Sequence, residues 1–129
     1  VKKNKLNDNV NFHGHLQIKQ ISSIIYKSDC FLFQTDFDIW GLVLNEAMAC
    51  KVPIIASKKA GSTRDLIKDG HNGYMIDFDD TELLANKITK LLTDSVLAKN
   101  MGKNARETVK QNATIDISAS SFIKVLSRI

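Results

Sequence analysis

The chain has little of what marks secreted, membrane-spanning or disulfide-rich proteins. Its 129 residues include two cysteines and one proline, and 7% of them are aromatic. No apolar run approaches the roughly 18 residues that a membrane-spanning helix needs, and no apolar segment follows the basic start to form a signal peptide. Cys30 and Cys50 lack metal-ligand spacing, so we expect reduced, buried thiols, with a structural disulfide as the alternative. These absences predict a cytoplasmic protein.

The charge balance is mildly basic, with 18 Lys and Arg against 14 Asp and Glu and a net charge of +4. A basic surface can attract nucleotides, nucleic acid or an anionic membrane. The basic residues are not interleaved with aromatic ones as on RNA-binding faces, so we expect no nucleic-acid partner. The apolar fraction of 43% suffices for the core of a single domain spanning residues 1–129.

Short apolar runs alternate with segments of helical periodicity. Ile18, Ile21 and Ile25 recur at helical spacing, which predicts an amphipathic helix over residues 17–26. Strands are predicted at residues 9–13, 30–34, 52–56 and 74–77, and further helices at residues 41–50, 61–67, 84–92, 95–110 and 118–127. Strands that alternate with helices predict an α/β fold: a Rossmann-like, three-layer parallel sheet flanked by helices.

Local signals add two predictions. Asp79, with Glu82 three residues later, predicts a capping box at the start of the helix that contains Leu84. His13 and His15 flank Gly14 without a carboxylate partner nearby, so we interpret them as loop residues rather than metal ligands. No metal site is predicted.

The most informative segment runs from Asp38 to Cys50. Asp38 and Glu46 have seven residues between them, and Gly41 lies at the mouth of the predicted helix. A strand, a loop with an acid, a glycine and a helix make the layout of a ligand site at the carboxyl edge of a parallel sheet. Free N–H groups at a helix start suit a phosphate, and a carboxylate on the helix can accept two hydrogen bonds from adjacent hydroxyls.

Five ordered segments resemble the donor-binding domain of retaining glycosyltransferases of family 4, which have two Rossmann-like domains (the GT-B fold). These segments are residues 9–14, 28–33, 41–56, 61–67 and 72–73. The resemblance implies a C-terminal domain that binds a nucleotide-diphosphate sugar, such as a UDP- or GDP-sugar, without a metal or another cofactor. The whole enzyme would transfer a hexose-type sugar to a glycan or lipid acceptor in bacterial surface polysaccharide synthesis.

The resemblance also implies roles for individual residues. Asp38 is the expected catalytic residue, because its carboxylate would face the donor sugar and the positive charge that develops on the ring. Glu46 would hold the ribose hydroxyls. The other expected donor- or nucleotide-binding residues are His15, Leu16, Gly41, Leu42 and Val43.

Two residues depart from the family pattern. Asp38 stands where most members have Glu, which shortens its reach by one methylene, roughly 1.5 Å. Asp36 is therefore the alternative carboxylate. Lys51 stands where the family usually places Gly after the helix, so a left-handed backbone is expected at a residue with a side chain.

The resemblance further implies missing parts. In the family, two more strand–helix units open this domain, and an acceptor-binding domain accompanies it. We therefore expect a fragment that is inactive alone and binds a nucleotide sugar weakly. The strand at residues 9–13 would pair beside the strand at residues 30–34 in a four-stranded sheet, or the fragment would self-associate. The parent enzyme is expected to contact its acceptor through the missing domain, in the cytoplasm and in peripheral contact with the inner membrane face.

Several alternatives stay open on sequence alone. Asp38 could be the N-cap of the helix, Glu46 a solvent-facing helix residue, and Trp40 a packing residue beside the site. At the level of function, the rivals are a non-catalytic flavodoxin-like binding module and a nucleotide-sugar epimerase or phosphorylase of the same architecture.

Overall fold

A three-stranded parallel sheet lies at the centre of the protein. In the computed structural model, which describes residues 2–127, the strands are β1 (Phe31–Phe33), β2 (Ile54–Ser57) and β3 (Tyr74–Ile76), in that order across the sheet. All four residues of β2 are buried, as expected for a central strand that is covered on both faces.

Helices cover both faces of this sheet. Within residues 2–127 they are α1 (Ile18–Tyr26), α2 (Leu42–Ala49), α3 (Gly61–Leu66), α4 (Thr81–Thr93), α5 (Ser95–Asn112) and α6 (Ile115–Leu126). Ile54 and Ala56 of β2 pack in one apolar cluster with Leu44 of α2. Ile55 packs in a second cluster with Leu91 of α4. Successive side chains of a strand point to opposite faces, so these two clusters confirm the predicted three-layer α/β arrangement.

The predicted strand at residues 9–13 is wrong. Asn7–Asn9 is a 3-10 turn, residues 10–14 have no regular structure, and the Phe12 side chain is 83% exposed. A strand is stable only when it is hydrogen-bonded to a neighbour and buries one face, and this run has neither. β1 is therefore an edge strand of the described sheet, and the predicted four-stranded sheet does not form. Self-association stays a prediction.

The start of α4 is capped one residue later than predicted. The Asp80 carboxylate accepts a hydrogen bond from the Leu83 N–H at 2.9 Å, whereas Asp79 lies in the preceding turn, where its N–H donates to Asp77 at 3.2 Å. The turn that closes β3 takes up one residue more than the pattern indicates. Glu82 consequently lies too early in the helix for a capping box.

The end of α2 agrees with the sequence. Lys51 has φ 62, the left-handed backbone expected where the family pattern has Gly. Its N–H donates to the Met48 carbonyl at 3.1 Å, which satisfies one of the last carbonyls of the helix.

Cys30 and Cys50 are unpaired thiols, as predicted, but they are half-buried rather than buried. Burial, with a smaller effect of Asp29, raises the pKa of Cys30 to about 11.

Candidate functional site

The loop after β1 presents the Asp38 carboxylate at the carboxyl edge of the sheet. Asp38 is half-buried, and its Oδ1 accepts a hydrogen bond from the Trp40 N–H at 3.0 Å. Among residues 2–127, no other donor reaches this carboxylate, so its second oxygen is free to accept from a ligand. The N-cap of α2 is Gly41, with φ 84. The alternative in which Asp38 caps the helix is therefore wrong.

The backbone of this acidic loop (residues 34–40) is fixed to the first residues of α3. The Gly61 N–H donates to the Asp38 carbonyl at 3.2 Å, and the Ser62 N–H donates to the Trp40 carbonyl at 3.0 Å. Gly61 also lies so close to the Ile39 carbonyl that a Cβ at this position would collide with it. The position of Asp38 thus depends on a glycine in α3.

Gly61→Ala is expected to displace the acidic loop, because the added methyl and the Ile39 carbonyl cannot occupy the same space. We expect large amide chemical-shift changes at Asp38 and Trp40, and a loss of about 2 kcal/mol in the free energy of unfolding. Nuclear magnetic resonance spectra and urea denaturation measure the two effects. Gly70→Ala is the control for the chemical shifts only: its φ of +74 strains an alanine and lowers stability, but no atom lies within 4 Å of the added Cβ, so Asp38 and Trp40 should not shift. Unchanged shifts at Asp38 in Gly61→Ala would contradict the contact.

A cleft of about 460 Å³ opens beside the acidic loop, and we call it the Asp38 cleft. Its volume is in the range of small-ligand sites. The cleft lies where the carboxyl ends of two parallel strands meet, which is the usual place for ligands in such sheets. Its lining residues are Asp36, Phe37, Asp38, Ile39, Lys59, Gly61 and Arg64.

Two cations in this cleft were not predicted from the sequence. Lys59 Nζ lies 3.3 Å from Asp36 Oδ1 at the exposed rim. This hydrogen bond, together with the negative charges of Asp36 and Asp79, raises the pKa of Lys59 above its ordinary value. Arg64 donates from Nε to the Lys58 carbonyl at 3.0 Å. The sequence did contain one signal for them. If the predicted strands at residues 30–34 and 52–56 pair in parallel, the segments that follow both strands lie at the same edge of the sheet.

The start of α2 has the free amides that the sequence predicts. The Leu44 N–H donates to the Gly41 carbonyl at 2.9 Å, but the N–H groups of Leu42 and Val43 have no acceptor within residues 2–127. Gly41 is buried against Phe33, whose Cζ would lie 2.5 Å from an added Cβ. Only a residue without a side chain fits between Phe33 and the helix start.

Neither Leu42 nor Val43 lines the Asp38 cleft. Leu42 is 69% exposed and lines a separate cleft of about 420 Å³ between α2 and the start of α6. Trp40 also lines this second cleft while packing against the apolar core, which confirms it as a packing residue beside the site.

Glu46 is exposed on α2, away from the core. It lines a groove of about 380 Å³ between α2 and α5, together with Arg106 and Lys110. In the described part of the chain its carboxylate has no hydrogen-bond or salt-bridge partner, so the solvent-facing alternative describes its position. Its predicted contact with ribose stays a prediction.

The remaining predicted residues lie before α1. His15 is exposed and Leu16 is half-buried, and neither lines the clefts described above.

Between residues 2 and 127, no group of three or more His, Cys, Asp or Glu side chains is arranged to hold a metal ion. None of the helices in this range combines the length and apolar character that a membrane crossing needs.

Comparison with known proteins identifies the family. Residues 1–108 match the family described as glycosyl transferases group 1. The chain belongs to this family. The match confirms the family resemblance seen in the sequence, and it favours a glycosyltransferase over the flavodoxin-like, epimerase and phosphorylase alternatives.

Relatives of this group 1 glycosyltransferase chain include bacterial enzymes. It is 37% identical over 109 residues to N-acetyl-alpha-D-glucosaminyl L-malate synthase of Bacillus anthracis, covering 84% of the chain and 28% of that protein. It is 31% identical over 103 residues to the capsular polysaccharide biosynthesis glycosyltransferase CapM of Staphylococcus aureus, covering 78% of the chain and 27% of that protein. The chain thus spans less than a third of the length of these relatives.

Solved structures give the same fold. Sucrose-phosphate synthase from Thermosynechococcus elongatus superposes with a TM-score of 0.88 at 27% identity, over 98% of the chain and 32% of that protein. The Anabaena protein Alr3699/HepE, in complex with UDP and glucose, superposes with a TM-score of 0.87 at 25% identity, over 99% of the chain and 34% of that protein. These neighbours are GT-B glycosyltransferases, which confirms the predicted fold class.

Proposed function

We propose that this chain is the donor-binding part of a retaining glycosyltransferase that uses a nucleotide-diphosphate sugar. The observation that carries the proposal is the Asp38 carboxylate, which keeps one oxygen free in a cleft of about 460 Å³. The unpaired amides of Leu42 and Val43, four and five residues further on, support it. The Anabaena neighbour solved with UDP and glucose supports a hexose donor on UDP.

The sugar, the diphosphate and the ribose of such a donor would bind at successive positions of the segment from Asp38 to Glu46. Asp38 accepts a hydrogen bond from the sugar, and the amides of Leu42 and Val43 meet the diphosphate, where the helix dipole favours negative charge. Glu46 accepts hydrogen bonds from the ribose. A nucleotide sugar is elongated, so these positions need not share one cleft, and this division agrees with the separate clefts beside α2.

The proposed chemistry places the main electrostatic contribution at Asp38. As the nucleotide leaves, positive charge develops on the sugar ring, and a fixed carboxylate stabilises that charge. The amides of α2, rather than a metal ion, are expected to meet the charge of the leaving diphosphate. His15 and Leu16 are proposed to border the nucleotide base.

The acceptor and the setting of the whole enzyme are part of the same proposal. The relative named for capsular polysaccharide biosynthesis supports a role in bacterial surface polysaccharide synthesis. A glycan or lipid acceptor would then be held outside this chain, on the cytoplasmic side of the inner membrane.

Glu46→Ala is expected to weaken nucleotide binding by about 2 kcal/mol, roughly thirtyfold, through the loss of charge-assisted hydrogen bonds to ribose. In the chain itself we expect a dissociation constant for UDP-glucose on the order of millimolar. When the chain is titrated with UDP-glucose to several millimolar, the amide chemical shifts of Leu42 and Val43 should therefore approach saturation in the unmutated chain. In Glu46→Ala the same shifts should stay far from saturation.

Glu82→Ala is the matched control for this titration, because Glu82 is an exposed helix carboxylate of α4 that lies outside the groove of Glu46. Its binding curve should equal that of the parent chain. If Glu46→Ala binds UDP-glucose with an affinity within twofold of that of the unmutated chain, the ribose contact is refuted. A titration with GDP-mannose beside UDP-glucose tests which base the site accepts.

A further inference from the structure

Arg64 is an oriented cation in the Asp38 cleft. It lies on α3, is exposed, and donates from Nε to the Lys58 carbonyl at 3.0 Å. Because the guanidinium is planar, this bond limits the directions in which its terminal nitrogens can point. No carboxylate in residues 2–127 lies within salt-bridge distance of Arg64.

Lys59 lines the same cleft but differs in its surroundings. Its Nζ is paired with Asp36 at 3.3 Å, and Asp79 and Asp77 add negative charge nearby. The charge of Lys59 is thus already balanced by the protein. Arg64 is the cation of this cleft whose charge is balanced by no carboxylate of the described residues.

Building on the proposed function, we propose that Arg64 binds an anionic group of the ligand whose hydroxyl reaches Asp38. A guanidinium binds a carboxylate or phosphate through two parallel hydrogen bonds, which gives it a strong preference for such groups. Two sources supply this chemistry: the diphosphate of the donor, or an acidic group carried by the sugar. Neither Leu42 nor Val43, whose amides are proposed to meet the diphosphate, lines the Asp38 cleft, which favours an acidic group on the sugar, such as the carboxylate of a uronic acid.

The test is a set of titrations of the chain, followed by nuclear magnetic resonance at the Arg64 Nε–H and the Gly61 amide. The ligands are UDP-glucuronate, UDP-glucose, UDP and glucuronate. We expect UDP-glucuronate to bind at least fivefold more tightly than UDP-glucose and to shift the Arg64 Nε–H. In Arg64→Gln this preference should disappear, whereas Lys59→Gln should change it less than twofold.

Two further variants keep the test decisive. Lys58→Gln removes the same charge from a neighbouring residue whose side chain does not line the cleft, and it should leave the preference intact. Arg64→Lys keeps the charge but loses the planar pair of donors, so it should restore only part of the preference. Amide spectra that match the parent outside the cleft show that each variant is folded.

Each outcome has one meaning. If UDP alone shifts the Arg64 Nε–H and Arg64→Gln weakens UDP binding, Arg64 binds an anion and the diphosphate is its source. If no anionic ligand shifts Arg64, or if Arg64→Gln and Lys58→Gln have equal effects, the proposal is overturned. Failure of the proposed function is separate: UDP would then leave the amides of Leu42 and Val43 unshifted, whatever glucuronate does at Arg64.

Discussion

Asp38→Asn is expected to lower turnover of the complete enzyme at least about a hundredfold, on the scale of a lost electrostatic stabiliser. The substitution is gentle for the fold, because the amide oxygen can still accept the Trp40 N–H that Asp38 accepts at 3.0 Å. What is lost is the negative charge that is proposed to lie beside the sugar. Nucleoside diphosphate affinity should stay within about twofold, since the proposed diphosphate contacts are amides of α2.

Steady-state kinetics with a nucleotide sugar, together with calorimetry of nucleoside diphosphate binding, separate these two quantities. Asp36→Asn is the matched control, because Asp36 lines the same cleft but is paired with Lys59 at the exposed rim. Exposed ion pairs contribute little, so we expect less than a fivefold change. Normal turnover in Asp38→Asn with a large loss in Asp36→Asn would show that Asp36 is the functional carboxylate.

Gly102→Ala is expected to lower the free energy of unfolding by about 3 kcal/mol, although alanine is the better helix former by about 1 kcal/mol. Gly102 is a buried residue of α5, and an added Cβ would collide with the carbonyl of Lys51 and lie 3.5 Å from Pro53 N. Lys51 has the left-handed backbone that ends α2, so its carbonyl cannot move without disturbing that helix end. Urea denaturation with linear extrapolation measures the loss.

Lys103→Ala is the control for helix propensity in the same helix. Lys103 is exposed, and its replacement should change stability by less than about 0.5 kcal/mol. A Gly102→Ala protein as stable as the parent, or more stable, would show that α5 does not need to approach the Lys51 carbonyl this closely.

The central elements were predictable because their signals are local and strong. The run at residues 52–56 is almost entirely apolar, as a doubly covered strand requires. β2 begins two residues later than this run and ends one residue later. Lys51 was predicted to be left-handed and has φ 62. In both cases the residue types near the position determine the backbone.

The errors arise where partners distant in sequence decide the outcome. The run at residues 9–13 has the composition of a strand, yet a strand forms only beside a neighbour, and composition does not report one. The shift of the α4 cap from Asp79 to Asp80 depends on how the preceding turn closes. Arg64 reaches the site only because parallel pairing places the loop after β2 beside the loop after β1.

The candidate site shows the same limit. The spacing of Asp38 and Glu46 correctly indicated a loop followed by a helix, but it could not show that the two carboxylates open to different sides of α2. Which side chains share a cleft depends on how α2 is rotated against the core. That rotation follows from Leu44, Ala47 and Met48, which are buried.

The hydrogen bond between Asp38 and Trp40 also gives the protein a built-in optical probe. Trp40 is the single tryptophan of the chain, and its backbone N–H is tied to the carboxylate proposed to meet the sugar. Indole emission depends on the polarity around the ring, and with a single tryptophan this emission reports on one place, beside the proposed ligand-binding segment. The fluorescence of Trp40 can thus be used to follow ligand binding and unfolding of the acidic loop in dilute, unlabelled samples.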